Sequence, residues 1–388
     1  MLDEEQTRDE QESCLEQPGN QALSRRGLLV GAAAVGAGAA LQAAVTPGVT
    51  TALAEMAYTP ARPKIGFVLS HEQFPVPRLV EYAVAAEKAG FDMVWTSDHF
   101  QPWQDNEGHA GQAWVTLAAV GQRTSRILLG TGVTCPTYRY RPAIVAEAFA
   151  SLALLSPGRV FLGTGTGEAL NEKAAGGGWG HYKERAARWV EAVELIRKLW
   201  SGETITYNGQ YYQVQNARLY DVPSPRVPIY MAAAGPKSAR LAGLHGDGLI
   251  TDPDSVRKPA IRDAFAEGAR AAGKDPTKMP IVVEQFMVAG TQEEAAQGAR
   301  LWHFLPKAWK PGYVTSSDPR RIRRRAEVEI PLSKVYGSWP ISTDPKVHIA
   351  AIQALLAEGV THVFIHSPQQ DQPRFIDFFG SKVLPHLR

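Results

Sequence analysis

The chain has 388 residues, 44% of them hydrophobic and 21% charged, which is the ordinary balance of a soluble globular protein. Its formal net charge of +2 gives no support to a nucleic-acid partner.

Residues 1–54 differ in character from the rest. The first 23 are polar and acidic. Ser24-Arg25-Arg26-Gly27-Leu28-Leu29 then opens an apolar run that is too short, and too rich in Gly and Ala, for a membrane span. A twin-Arg pair, a weakly apolar stretch and Ala52-Leu53-Ala54 are the three parts of an export signal. The expectation is passage through the twin-arginine translocase to the periplasm or cell envelope, with cleavage after Ala54. The leader holds seven acids and three bases, so residues 55–388 keep 38 basic against 32 acidic residues, or +6. Cys14 lies in the leader and leaves Cys135 alone, so no intramolecular disulfide can form.

After Pro60, short β-rich runs alternate with longer helical patterns. Predicted strands are KIGFVL (64–69), DMVWTS (92–97), RILLGTGV (126–133) and RVFLGTGT (159–166). VPIYMAA (227–233), DGLIT (247–251), PIVVEQFMVAG (280–290) and THVFIHS (361–367) complete the set. Between them, PRLVEYAVAAEKAG places Leu79, Ala83 and Ala86 on one side and stops at Gly90. RPAIVAEAFASLALL carries Pro142 in its first turn, and HYKERAARWVEAVELIRKLW reads as a long amphipathic helix. Eight strand–helix units predict a closed (β/α)8 barrel as one domain over residues 55–388. Two insertions are expected. One is ETITYNGQYYQV (203–214), with a hairpin turn at Asn208-Gly209. The other spans 305–340 and contains an Arg cluster, RRIRRR (320–325), read as a solvated helix face.

In such a barrel the chemistry sits where the strands end. Asp98, His99 and Trp103 follow the second strand, and Gly132 and Val133 end the third. Gly165, Thr166, Gly167 and Glu168 end the fourth, and Ala234-Gly235-Pro236 follow the fifth. His99 is the candidate base, because an imidazole titrates near neutrality and can take a hydroxyl proton. Glu72, after the first strand, is placed to orient it. GTGTGE departs from the dinucleotide fingerprint, since Glu168 stands where a third glycine belongs. Its glycines would instead let a flat ring approach, with Glu168 as a buried carboxyl whose pKa burial would raise. The N–H groups of Gly235, Lys237 and Ser238 could hold a phosphate. No metal motif and no G-x-S-x-G elbow is present.

SDHFQPW, LLGTGVTCPTYRY, FLGTGTGEALNE, KERAARW, LWSGE and YDVP follow one another in order. Together they resemble the luciferase-like coenzyme F420-dependent dehydrogenases, among them the glucose-6-phosphate enzymes. With the twin-Arg leader the likeness is greatest to exported members, which include hydroxymycolic acid dehydrogenase. The resemblance implies a deazaflavin, coenzyme F420, on the barrel mouth, and a homodimer. It makes Asp98 a cofactor contact and Gly132-Val133 a supporting bulge with a non-prolyl cis peptide. Asn171 and Ala234-Gly235 would hold the cofactor tail and phosphate. His99 would be the base, Glu72 its partner, Trp103 the transition-state stabiliser and Glu168 the proton donor to the ring.

The chain also departs from the sugar-phosphate pattern. That pattern has a Thr and, three residues on, a Lys where Asp252 and Ser255 stand, and its other cationic positions fall near Tyr313 and Ser338. Asp252 and Asp254 would repel a phosphate. The function expected is therefore hydride transfer from a bulky or apolar secondary alcohol, such as an envelope hydroxylipid. Three alternatives stand beside it: a reductase of enones or ketones, a sugar-phosphate dehydrogenase, and a non-catalytic exported binding barrel.

Overall fold

The computed structural model describes residues 62–387. The leader, its cleavage point, the domain boundary at residue 54 and Cys14 lie outside them. The first half of the fold runs β1 (Lys64–Leu69), α1 (Val76–Ala89), β2 (Met93–Thr96), α2 (Ala113–Arg123), β3 (Leu128–Thr131), α3 (Pro142–Leu155) and β4 (Val160–Thr164). A short α4 (Ala169–Glu172) and a long α5 (Tyr182–Leu199) lead to the hairpin β5 (Ile205–Asn208) and β6 (Gln213–Ala217). The second half is β7 (Ile229–Ala232), α6 (Pro236–His245), β8 (Gly248–Thr251), α7 (Pro253–Val256), α8 (Pro259–Ala271) and β9 (Ile281–Phe286). Then come α9 (Gln292–Ala299), α10 (Pro319–Glu329), α11 (Leu332–Tyr336), α12 (Pro345–Ala357), β10 (His362–His366) and α13 (Gln372–Phe378).

The eight predicted strands close into one barrel in the order β1-β10-β9-β8-β7-β4-β3-β2, and every pairing is parallel. The strands alternate between two apolar environments. Ile65, Phe67 and Leu69 of β1 pack outward against the helices, while Val68 points into the barrel. Val68, Met93, Trp95, Phe161, Tyr230, Ile250, Val282 and Phe364 fill the interior, so the barrel is a packed core and not a pore. Trp95 stacks on Phe364 with ring centroids 3.9 Å apart and planes 5° from parallel. That indole lies against Gly132, where a Cβ would come within 2.5 Å of it. Glycine is therefore required at the rim of β3.

The hairpin forms where expected, but its loop spans residues 209–212 instead of a two-residue turn, with Asn208 paired to Gln213. The reason is Glu191 of α5. Its carboxylate accepts from the N–H groups of Gln210 (3.1 Å), Tyr211 (3.0 Å) and Tyr212 (2.8 Å), which holds the loop open around one side chain. The larger excursion begins before residue 305. Val288, Ala295, Ala299 and Trp302 already belong to a separate apolar cluster with Phe304, Tyr313, Ile322 and Trp339. Trp103, from the β2 loop, completes that cluster.

Candidate active site

The loop after β2 carries Asp98, His99 and Trp103, and internal hydrogen bonds pin it. Gln101 donates to the carbonyls of Leu170 (2.8 Å) and Ser317 (2.7 Å). Gln104, fully buried, donates to the carbonyls of Arg300 (3.0 Å) and Leu301 (3.1 Å). Asn171 Oδ1 accepts the Phe100 N–H at 2.9 Å. The catalytic loop is thus tied to α4 and to the excursion after β9.

His99 Nδ1 lies 3.8 Å from Glu72 Oε1, an ion-pair distance. Its Nε2 has no protein partner among the described residues. Glu72 is almost fully buried and accepts hydroxyl hydrogens from Ser97 (2.6 Å) and Ser70 (2.9 Å). Burial alone would raise its pKa, but the His99 charge and the two serine hydroxyls outweigh it and hold the carboxylate below its ordinary range. A second carboxyl, Glu107, behaves in the opposite way. Burial and the Glu72 charge push it well above the usual value, although it accepts the Gln104 N–H at 2.8 Å. The two nearby carboxyls are thus driven apart, Glu72 toward the charged form and Glu107 toward the neutral one. Trp103 faces His99 at 5.7 Å, stacks on Phe304 at 4.6 Å and meets Trp309 edge-on at 6.2 Å.

Asp98 turns to the other side of the loop. It accepts from Thr134 Oγ1 (2.6 Å), Tyr140 Oη (3.1 Å) and Arg139 (3.3 Å). Arg139 also reaches Glu172, whose Oε2 accepts the Arg139 N–H at 2.7 Å. Glu168 departs from its expectation. It is half-buried, caps α4 and receives a bond from Asn171 Nδ2 at 3.3 Å. The enclosed carboxyl of this turn is Glu172, one helical turn on, which burial pushes up to about 7 against the pull of Arg139. Arg139, Tyr140 and Glu172 lie within stretches the resemblance quoted, yet no local pattern marks them. Only the fold brings them to Asp98.

The rim opposite is lined by glycine. The Gly132–Val133 peptide is cis. A Cβ on Gly165 would come within 2.9 Å of Val133 Cγ2. Gly167 has a φ of 76°, and a Cβ there would meet Cys135 Sγ at 2.5 Å, beside Thr166. At the start of α6, Gly235 offers open space, and no side chain caps the Lys237 and Ser238 N–H groups. Gly235 N–H itself leans on Ser238 Oγ at 3.4 Å, and the Ala234 carbonyl accepts weakly from Ser255 at 3.5 Å. The residues fit a flat ring with an anionic tail: small residues allow close approach, and the uncapped N–H groups at the start of α6 would suit a phosphate. Asn171 spends its amide within the protein, on the Phe100 N–H and on Glu168.

The luciferase-like monooxygenase family matches residues 56–334. The chain belongs to that family. Among luciferase-like relatives, the F420-dependent hydroxymycolic acid dehydrogenase of Mycobacterium tuberculosis is 51% identical over 94% of this chain and 99% of its own length. An F420-dependent glucose-6-phosphate dehydrogenase of Nakamurella multipartita is 42% identical over 85% of this chain and 98% of its own. An F420-dependent secondary alcohol dehydrogenase, solved with an F420-acetone adduct, superposes with a TM-score of 0.79 at 34% identity, covering 84% of this chain and 99% of that one.

The cationic positions of a sugar-phosphate site are missing, for reasons the structure makes plain. Tyr313 is fully buried and donates to Glu329 at 3.1 Å. Three of the five α10 arginines are held in ion pairs: Arg323 with Asp105 (3.2 Å), Arg325 with Glu329 (2.5 Å) and Arg320 with Asp318 (3.3 Å). Asp254 is exposed and paired with Arg257, and Asp252 caps α7, so repulsion of a phosphate falls to Asp252 alone.

Proposed function

We propose that this protein oxidises a secondary alcohol with coenzyme F420. The observation that carries the reading is a histidine set 3.8 Å from a buried carboxylate and walled by Trp103, beside a glycine-lined rim. Coenzyme F420, when bound, supplies a deazaflavin ring able to accept a hydride. His99 Nε2 takes the proton of the carbinol hydroxyl. Glu72 steadies the imidazolium that results. Asp98, Gly132, Val133 and Gly165 would seat the ring, and Glu168, on the β4 side, would be its proton donor. Trp103 and the aromatic cap around Phe304 and Trp309 exclude water and favour an apolar chain on the substrate. A long-chain hydroxylipid of the hydroxymycolic acid type suits that wall better than a sugar phosphate does.

Titration with oxidised F420, followed by its absorbance, tests the reading. The wild type should bind the deazaflavin and bleach it on adding a secondary alcohol. His99→Ala should bind it equally and lose at least ~100-fold in rate. Failure to bind the deazaflavin would sink the reading.

Export through the twin-arginine pathway rests on the pattern at residues 24–54, and the match to the hydroxymycolic relative spans more of the chain than residues 55–388 alone. Replacing Arg25 and Arg26 by Lys should trap unprocessed protein in the cytoplasm. The homodimer is a property carried by the family resemblance, and sedimentation velocity would measure it.

A further inference from the structure

The barrel rim carries a second histidine–carboxylate pair. Glu284 of β9 lies in register with Phe364 of β10, and Phe364 and Val282 both fill the barrel interior. Glu284 therefore points inward, one layer above Val282. His366, the last residue of β10, brings Nδ1 within 2.5 Å of Glu284 Oε1 and Nε2 within 3.1 Å of Gln73 Oε1. The Gln73 amide nitrogen donates to the Pro368 carbonyl at 3.2 Å, so its oxygen is the atom that faces His366. Each ring nitrogen of His366 thus faces a side-chain oxygen. Phe286, stacked at 4.1 Å, and Trp302, edge-on at 4.6 Å, clamp the ring. His366 is buried and hydrogen-bonded at both ring nitrogens, whereas the Glu284 side chain is 32% exposed and its Oε2 has no protein partner among the described residues.

Barrel order fixes where this open oxygen lies. Around the rim come β9, β10, β1, β2, β3 and β4. The glycine-lined ring seat belongs to β3 and β4, His99 follows β2, and Glu284 stands on the far side of His99. Consecutive residues after β1 serve the two sites, Glu72 facing His99 and Gln73 holding His366.

We infer that Glu284 accepts a hydrogen bond from a second hydroxyl of the substrate, set apart from the carbinol oxidised at His99. The assignment rests on the alcohol-oxidation reading and narrows it to alcohols with at least two hydroxyls. A carboxylate oxygen left open in an aromatic wall attracts a hydroxyl donor. His366 is a positioning residue that holds the carboxylate in place.

The test compares 2-octanol with octanediols whose second hydroxyl stands at carbons 4 to 8. Binding is read by ligand-induced thermal shift and calorimetry without cofactor, and turnover by F420 absorbance. The wild type should prefer at least one diol over 2-octanol by ~10- to 100-fold, in Kd and in kcat/KM. Glu284→Gln keeps an acceptor for His366 and removes the carboxylate, and should abolish that preference while handling 2-octanol within about twofold of wild type. Glu284→Asp, which keeps the charge on a shorter arm, should retain part of it. Absence of any diol preference in the wild type overturns the assignment, as does an equal loss of both alcohols in Glu284→Gln. Diol-selective binding without oxidation of any alcohol would leave the acceptor role standing and sink the dehydrogenase reading alone.

Discussion

Glu172 gives a quantitative test of the electrostatics beneath the ring seat. Its carboxyl is fully buried, and burial carries its pKa from 4.5 to about 7. A raised folded-state value means that its contribution to stability is fully present below pH 4.5 and is lost as pH rises through about 7. At ~1.4 kcal/mol per pH unit, the gap amounts to ~3 kcal/mol. Glu172→Gln retains an oxygen for the Arg139 N–H but cannot ionise. Urea unfolding of both chains at about pH 5 and about pH 8 yields a difference in which titrating groups not coupled to Glu172 cancel. Between those pH values the variant should gain roughly 2–3 kcal/mol relative to wild type, because most of the titration falls inside that window. A difference that does not change with pH would refute the claim that folding opposes ionisation of this carboxyl.

Glu72→Gln should lower kcat at least ~10-fold with deazaflavin affinity unchanged, since the residue steadies His99 and does not touch the ring. Glu72 titrates below its ordinary range in the folded chain, so the stability cost of Glu72→Gln should be full at neutral pH and fade as pH falls through the acid range, read by thermal unfolding. Gly167→Ala forces a side chain onto a φ of 76° and into Cys135 Sγ, and should cost ~1–3 kcal/mol in unfolding free energy.

The barrel was legible because each strand run is short, apolar and followed by a helical pattern, and the period-2 and period-3.6 signals do not interfere. His99, Trp103 and Asp98 were legible because they crowd one strand end. Residues whose roles depend on distant partners were not. Arg139 and Glu172 matter only because β2, β3 and β4 are neighbours, and their chain separation from Asp98 hides this. Glu284 reads as one of two adjacent polar residues in an otherwise apolar strand, and nothing nearby in sequence shows that His366 faces it from β10. The hairpin loop was misjudged in the same way, since Glu191 opens it from a helix that precedes it in the chain. Glu168 and Glu172 exchanged environments because a helical turn after β4 carries the later residue inward.

Trp103 belongs to two bodies at once: the loop that presents His99, and the apolar cluster of the excursion after β9. Loosening that cluster at a site remote from any reactant, Trp339 or Ile322 for instance, would slacken the indole and let the imidazole wander. Drift in the excursion thus trades directly against turnover. The chain cannot freely reshape that excursion without disturbing the loop that presents His99.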